Sequence, residues 1–363
     1  MPKKIYLPGL NGLRTIAAIA VIISHIGLSL NYYGFENKGG YSLASFGVTI
    51  FFTLSGFLIT YLLLVEKKRI DTIKIKKFYY RRLLRIWPLY FFYIIIVFIT
   101  LQPNEVSKEI WYYVLMLPNI PFAANAAGGV LVTIPFLAHY WSLGVEEQFY
   151  LFWPVFIKKT KNIFLFLILF AFGFLILKLI LRTLDLFYII QVFLHYTRFG
   201  CLAIGGIGAF IYVNYNNHLL YLNNKILESF AWFVLLLVGI NKFHLFSIID
   251  HEIISLITLV IIFNQINNKR PLISLENRVF DYLGKISFGL YVYNPLVIYY
   301  IAYLFNLFET DNTLLKLILV YLINLISIII VSHLSYFYFE KRFLKLKNKY
   351  TVVKSASNAR EAN

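Results

Sequence analysis

Ionisable side chains stand inside stretches of this sequence that are otherwise apolar. Arg14 and His25 belong to the first such stretch and are eleven residues apart. Eleven residues make three helical turns plus about 20°, so both side chains point to one helix face, about 16 Å apart along the axis. A charge in hydrocarbon costs at least about 2.5 kcal/mol, so the pair is a functional hypothesis by default. The alternative is an arginine that snorkels to the interface and a hydrogen-bonded core histidine.

A second candidate group is basic. Arg81, Arg82 and Arg85 precede the third apolar stretch, and the last two are three residues apart, which places them on one helix face. The planar guanidinium group binds phosphate in two-pronged fashion, which a lysine ammonium cannot do. The pattern therefore indicates a phosphate site. Anchoring of a helix end at the cytoplasmic surface explains the same residues without any ligand.

The third group follows His139. Glu146 lies seven residues later, two helical turns, and Glu147 is adjacent, so imidazole and carboxylate share roughly one face. A carboxylate near an imidazole fixes its tautomer and stabilises the imidazolium, as a general base requires. We therefore expect Glu146, or else Glu147, to orient His25, with His139 as the alternative base. Ser142 is a weaker candidate for a covalent nucleophile, because no histidine is evidently adjacent.

The composition shows what must position these residues. Of 363 residues, 60% are apolar and only 14% are charged. A soluble domain is nearer half apolar and a quarter charged, so the surplus must face lipid. About 20 apolar residues make a helix that crosses the bilayer, and ten such stretches recur. They lie near 13–31, 46–65, 86–101, 143–157, 163–181, 198–213, 227–243, 251–266, 286–306 and 313–333.

The net charge of +17 follows the predicted topology. With the N-terminus inside, the cytoplasmic segments collect 26 of the 34 Lys and Arg residues. That asymmetry is the positive-inside rule, and it argues against nucleic acid as a partner. Between 102 and 142 the chain is broken by Pro118 and Pro121, which favours a re-entrant or outer-surface segment over a full span. The sequence thus predicts an all-α polytopic membrane protein with ten transmembrane helices and both termini cytoplasmic.

The remaining features concern domain organisation. Cys201 is the single cysteine, which excludes a disulfide framework and a zinc cluster, and no metal is expected. The first stretch lacks a small-x-small cleavage site, so we expect a retained helix rather than a signal peptide. Residues 1–347 are predicted to form one transmembrane domain, and 348–363 a polar, disordered tail. The small residues near Gly205 and Gly56 indicate close helix packing.

Seven segments spread over nearly the whole chain form one recognisable pattern. They are LNGLRTIAAIAVIISHI at 10–26, FFTLSGFLIT at 51–60, FYYRRLLRIWPLYFF at 78–92, HYWSLGVEEQFYLFWP at 139–154, TRFGCLAIGGIGA at 197–209, LGKISFGLYVYNPL at 283–296 and YFYFEKRFLKL at 336–346. In content and in order they resemble the membrane-bound acyltransferase-3 family of carbohydrate O-acyltransferases. Asn11 stands where the family often has Asp, and Asn294 where a His is common.

The resemblance implies an enzyme that moves an acyl group, often acetyl, from cytoplasmic acyl-CoA to a hydroxyl of a carbohydrate or glycolipid. In this hypothesis the CoA phosphates bind Arg82 and Arg85, with Arg81 as a further candidate, and the pantetheine arm passes Arg14. His25 then takes the acyl group covalently or deprotonates the acceptor hydroxyl. The Ile-, Asn-, Lys- and Tyr-rich composition is typical of an AT-rich bacterial genome and suggests the cytoplasmic membrane as the location.

Two other classes of protein would use the same intramembrane residues. A carrier or flippase for a polar solute could line its pathway with Arg14, His25 and Glu146. The lack of a convincing internal repeat and the phosphate-suited arginines count against it. A non-catalytic partner in glycan export would retain its function when His25 or Arg82 is replaced. A carrier would accumulate substrate without consuming thioester, whereas the enzyme releases free CoA.

Overall fold

The chain folds into a bundle of helices. The computed structural model describes residues 6–36, 43–101, 108–215, 224–245, 248–268, 270–305 and 313–351, and no β-strand occurs in these ranges. The helices are α1 (Leu10–Leu28), α2 (Leu43–Ile70), α3 (Ile75–Thr100), α4 (Ile110–Val114), α5 (Asn119–Ala126), α6 (Trp141–Lys159), α7 (Ile163–Thr183), α8 (Tyr188–Thr197), α9 (Phe199–Asn214), α10 (Lys225–Gly239), α11 (Asp250–Asn267), α12 (Arg278–Lys285), α13 (Ser287–Phe305), α14 (Thr313–Ser335) and α15 (Lys341–Lys347). The predicted all-α class is confirmed.

Helices coincide with each of the ten predicted apolar stretches over their described residues. Seven helical segments are long and apolar enough to cross a membrane: α1, α2, α3, α7, α8 with α9, α13, and α14 with its C-terminal extension. Of the other three, α6 carries Glu146 and Glu147 and α11 begins with Asp250 and Glu252, while α10 has only 15 residues. The count of ten spans and the cytoplasmic termini stay predictions.

The segment that precedes α6 is built from short helices. Where it is described, from residue 108 onward, it holds α4 with five residues and α5 with eight. At 1.5 Å per residue neither can cross about 30 Å of hydrocarbon. Neither therefore adds a span: α5 packs beside α6 and α8, and the Tyr113 carbonyl of α4 accepts a hydrogen bond from the Tyr90 hydroxyl of α3.

The most exposed helices carry the apolar surface expected to face lipid. Only 17% of the most apolar stretch of α7, and of α14, is buried, against 72% for α2. Leu322, Ile326 and Ile330 follow one another at four-residue spacing along the exposed side of α14. Because these side chains have no protein partner, lipid is the environment that accommodates them.

The centre of the bundle is the contact between α2 and α9. A side chain at Gly56 would place its Cβ atom 1.9 Å from the Leu202 carbonyl oxygen, and at Gly205 2.2 Å from the Thr53 oxygen. No heavy atom can approach so closely, so these positions require glycine. The predicted close packing through small residues is confirmed, and it fixes α2 as the axis around which α1, α6 and α11 pack.

The chain after α14 returns to the bundle. A π-helical turn, Tyr336–Glu340, leads into α15 and a short 3-10 turn at Asn348–Tyr350. Tyr350 stacks on Tyr80 of α3, with ring centroids 4.9 Å apart. Of the predicted tail, 352–363 lie outside the described residues, and the domain boundary at 347 stays a prediction.

Candidate active site

A cavity of about 380 Å³ lies among α1, α2, α3, α6 and α13. The C-terminal segment, residues 336–351, forms one of its walls. Its lining includes five of the seven predicted site residues. They are Arg14, Arg81, Arg82, Arg85 and Glu146. The other two, His25 and His139, lie next to the lining residues rather than among them. The cavity thus unites residues that are up to 132 positions apart in the sequence, because α1, α3 and α6 meet there.

Three guanidinium groups face this cavity without an anionic partner. Within the ranges the structure describes, Arg14, Arg82 and Arg85 make no salt bridge or hydrogen bond. The Arg82 guanidinium lies over the Phe78 and Tyr150 rings, 5.7 and 5.4 Å from their centroids. All three side chains are half-buried and within electrostatic range of one another. A cluster of unpaired cations in a cavity is suited to an anionic ligand such as phosphate.

Arg81 differs from its neighbours because its donors are occupied. Its guanidinium pairs with the Glu66 carboxylate at 3.2 Å and donates to the Tyr350 carbonyl at 3.0 Å. Glu66 is 1% exposed and also accepts from the backbone N–H of Lys74. Arg81 therefore joins α2, α3 and the C-terminal segment, and it lines the cavity as part of the wall.

Glu146 lies in the cavity but does not contact either predicted histidine. Its two oxygens accept hydrogen bonds from the Ser55 hydroxyl at 2.8 Å and the Tyr150 hydroxyl at 2.9 Å. Arg82 and Arg14 are the cations nearest to it. Glu147 accepts from the Trp87 indole N–H at 3.2 Å and is likewise distant from His25. Neither carboxylate orients His25 in this structure, so that expectation is corrected, and Glu146 belongs to the arginine end of the cavity.

Ser142 and Tyr291 close the cavity on the side of the histidines. The Tyr291 hydroxyl donates to the His139 carbonyl at 2.7 Å. Since that uses its single proton, the Ser142 hydroxyl is the donor in the 2.6 Å contact between the two hydroxyls. Both residues are buried, and both line the cavity. His139 lies directly behind this pair and contacts the ring of His25 in turn.

His25 and His139 form a pair of imidazoles in edge-to-face contact, with ring centroids 6.3 Å apart. His139 is 5% exposed, and its Nε2 is 3.1 Å from the Val292 carbonyl, to which it must donate. Its Nδ1 is therefore the unprotonated nitrogen, and among the described residues nothing bonds to it. The contact places His139, the alternative base of the sequence prediction, beside His25.

Asn294 of α13 is the residue that contacts the His25 ring. Its side-chain Oδ1 lies 2.5 Å from His25 Nδ1. The sequence showed Asn294 only as a departure from a family pattern, and the 269 positions between the two residues gave no signal of contact. Pro295, which follows it in an apolar helix, is a signal that could have drawn attention to this place.

Glu340 is a second residue that the sequence interpretation missed. It is 8% exposed, lines the cavity and accepts from the Ser335 hydroxyl at 3.1 Å. The π-helical turn that ends at Glu340 brings the carboxylate into electrostatic range of Arg85. In the sequence the available signal was a carboxylate directly after the aromatic run YFYF. The π-helical turn itself is a second signal, seen only in the structure, because such turns are frequent at functional sites.

The two ends of the cavity differ in chemistry. Cations without ion pairs occupy the end near the C-terminal segment, and imidazoles lie behind the opposite wall. A ligand with a phosphate-bearing end and an uncharged reactive end fits this order. The described residues bring together no group of three or more His, Cys, Asp or Glu side chains that could hold a metal ion.

The chain matches the family model described as an acyltransferase domain over residues 7–336. It is 34% identical over 177 residues to the peptidoglycan O-acetyltransferase OatA of Listeria monocytogenes, which covers 43% of this chain and 26% of that protein. It is 29% identical over 340 residues to a putative O-acetyltransferase of Staphylococcus aureus strain COL, covering 82% of this chain and 52% of that protein. No solved structure matches the chain.

These relatives are longer than the matched region. The chain spans about half the length of the Staphylococcus protein and about a quarter of the Listeria protein.

Proposed function

The chain belongs to the acyltransferase-3 family, and on that premise we propose that it is a membrane O-acyltransferase acting on a carbohydrate hydroxyl. The donor is cytoplasmic acyl-CoA, with acetyl-CoA expected first because the relatives are named O-acetyltransferases. The acceptor is a carbohydrate or glycoconjugate of the cell envelope; the peptidoglycan acceptor of the Listeria relative is the first to test. The protein itself resides in the bacterial cytoplasmic membrane.

The observation that carries this proposal is the order of groups along the cavity. Arg82, Arg85 and Arg14 supply three guanidinium groups that form no salt bridge with a described carboxylate, and they outnumber Glu146 and Glu340, the carboxylates nearby in the cavity. The phosphates of CoA carry the complementary charge, and arginine binds them in two-pronged geometry. The pantetheine arm extends from there toward Ser142 and Tyr291, behind which the imidazoles lie.

His25 is the base or nucleophile in this scheme. In direct transfer, the acceptor hydroxyl oxygen attacks the thioester carbonyl carbon while His25 takes the hydroxyl proton. The C–S bond then breaks, and CoA leaves as a thiolate that takes up a proton. In the two-step variant His25 attacks first and carries the acyl group to the hydroxyl. His139 is the second imidazole within reach and the alternative base.

The topology completes the proposal. With ten crossings and both termini cytoplasmic, the arginine end of the cavity faces the cytoplasm, where acyl-CoA is found. The histidines then lie deeper in the membrane, toward the acceptor side. The donor stays inside while only its acyl group moves outward.

The test uses inverted membrane vesicles that contain the protein and its native glycans, supplied with acetyl-labelled acetyl-CoA. Label in the glycan fraction with wild type, and a loss of about 10²-fold or more with His25→Ala, is the expected result. His333→Ala is the matched control, since His333 lies on α14 and bonds Tyr282 away from the cavity. Transfer at the wild-type rate by His25→Ala would disprove the mechanism.

The carrier remains the competing function, because intramembrane charges serve transport equally well. The same vesicles separate the two. Release of free CoA in step with glycan labelling identifies the enzyme. Solute accumulation with acetyl-CoA, succinyl-CoA and longer donors all intact identifies the carrier.

A further inference from the structure

Pro295 leaves a gap in the hydrogen bonding of α13. Proline has no backbone N–H, so the carbonyl four residues earlier, that of Tyr291, has no helical donor. An unpaired carbonyl inside a membrane protein is costly and calls for another donor. The side chain next to the proline supplies it, because Asn294 Nδ2 lies 2.6 Å from the Tyr291 oxygen.

The Asn294 amide has only one orientation compatible with its surroundings. Its Nδ2 also donates to the Leu290 carbonyl at 3.1 Å, so both N–H groups are used by acceptors that cannot donate. A flipped amide would place an oxygen against two carbonyl oxygens. Since Asn294 is 0% exposed, no water can compensate for that. The oxygen Oδ1 must therefore face His25.

A fixed acceptor at Nδ1 decides the protonation of His25. Oδ1 of Asn294 can only accept, so His25 Nδ1 carries the proton in the 2.5 Å contact. Nε2 is then the nitrogen with the free electron pair, and no described residue bonds to it. His25 as a residue is half-buried, and its Nε2 is not among the fully buried polar atoms that lack a partner, so it is the ring nitrogen that a substrate can reach.

We infer that Asn294 is a positioning residue that holds His25 in the Nδ1–H tautomer, with Pro295 fixing the orientation of the amide. The inference rests on the proposed role of His25 as base or nucleophile. It makes Nε2 the reacting atom. The Asn–Pro pair does for His25 what a carboxylate does in other histidine sites, without adding a charge to the membrane interior.

The first test observes the tautomer directly. Protein labelled with ¹⁵N-histidine is reconstituted in lipid nanodiscs, and the His25 signals are identified as those that vanish in His25→Gln. A protonated Nδ1 and an unprotonated Nε2 are expected in wild type. The reverse tautomer in wild type would overturn the inference, whatever the protein does to acyl-CoA.

Three variants separate positioning from packing. Asn294→Leu removes the acceptor and the two donors, so we expect mixed tautomers and at least about a tenfold loss of transfer rate. Asn294→Asp also loses the amide donors but keeps an oxygen toward Nδ1, so it retains the tautomer and transfers faster than the leucine variant. Asn324→Leu is the matched control: Asn324 is also 0% exposed and also donates to a carbonyl four residues earlier.

The outcomes are distinguishable. An unchanged His25 tautomer in Asn294→Leu, or a leucine variant no slower than Asn324→Leu per folded molecule, overturns the positioning role. If the tautomer behaves as expected while wild type transfers no acyl group from any donor, the proposed function fails and the role of Asn294 stands.

Discussion

Two groups of basic side chains inside this bundle differ in what their charges contact. Around the cavity, Arg14, Arg82 and Arg85 have no salt bridge or hydrogen bond within the described ranges. At the junction of α8 and α9, Arg198 is 0% exposed and fully engaged. It donates to the Ser45 carbonyl and hydroxyl, both at 2.7 Å, to the Thr49 hydroxyl at 3.1 Å and to the His195 carbonyl at 3.1 Å.

Lys178 belongs with Arg198 in this second group. Its ammonium pairs with the Glu252 carboxylate at 2.7 Å and donates to the Ile248 carbonyl at 2.8 Å. A buried cation with such partners holds helices together and has little left to offer a ligand. A group of cations without them repels itself and is relieved when an anion binds. Saturation of the donors, rather than the presence of arginine, distinguishes the structural cations from those that we propose to bind the donor.

The strongest challenge to this distinction removes two unpaired cations at once. With Arg82→Ala and Arg85→Ala combined, kcat/KM for acyl-CoA should fall about 10³-fold, since each charge-assisted contact contributes roughly 2 kcal/mol. The melting temperature should stay within a few degrees of wild type. The control, Lys76→Ala with Lys77→Ala, removes the same charge from α3 outside the cavity. An equal loss of kcat/KM in this control would show that the effect comes from net charge and not from the cavity.

The complementary experiment breaks a saturated pair. Glu252→Gln leaves the Lys178 ammonium buried without its carboxylate, so the free energy of unfolding should drop by about 3 kcal/mol. Thermal unfolding in detergent, followed by size-exclusion chromatography, measures it. The double variant Lys178→Met and Glu252→Leu should regain most of that stability, because it buries no charge. A double variant as unstable as the single one would contradict this account.

Arg198→Lys sharpens the comparison by keeping the charge. A lysine cannot reach Ser45, Thr49 and the His195 carbonyl together, so about 2 kcal/mol of stability should be lost. The KM for acyl-CoA should change less than threefold in the protein that remains folded. A large rise in KM with normal stability would make Arg198 a ligand contact instead.

The smallest effect is expected at Arg81, which lines the cavity but is already paired. Arg81→Gln removes the ion pair with Glu66. Because Arg81 is 16% exposed and the buried Glu66 carboxylate keeps its hydrogen bond from the Lys74 N–H, the loss of stability should be smaller than the loss expected for Glu252→Gln. Its KM for acyl-CoA should stay within about threefold of wild type. A rise comparable with that of Arg82→Ala, measured in the same vesicles, would place Arg81 among the ligand-binding arginines.

The sequence anticipated the helices and most of the cavity, but not the contacts within it. Apolar runs of bilayer length predict helices because hydrocarbon leaves backbone groups no other partner. Charges inside those runs mark Arg14 and Glu146 for the same reason. Which carboxylate or amide meets His25 depends on how α1 and α13 pack, and periodicity along one helix carries no information on that. Glu146 was therefore assigned to the wrong neighbour.

Residues whose side chains act on the backbone were the hardest to recognise. In the sequence Asn294 is an ordinary polar residue. Its role follows from Pro295, which has no backbone N–H and so leaves the Tyr291 carbonyl to accept from the Asn294 side chain. Glu340 is placed by a π-helical turn, which no spacing rule for an α-helix anticipates. In both cases a local departure from the regular helix sets the position of a functional group.

The hydroxyl pair of Ser142 and Tyr291 also bears on the energy supply of the cell. In the cytoplasmic membrane proposed as the location of this protein, one elementary charge crossing the bilayer dissipates about 2.3 kcal/mol per 100 mV. A permanent water-filled passage from the arginines to the histidines would be such a leak. The two hydroxyls, bonded to each other and to the His139 carbonyl, place neutral groups in that wall, which stabilise a passing ion poorly. The proposed transfer therefore needs this hydroxyl pair to part for the acyl arm without giving ions a continuous path.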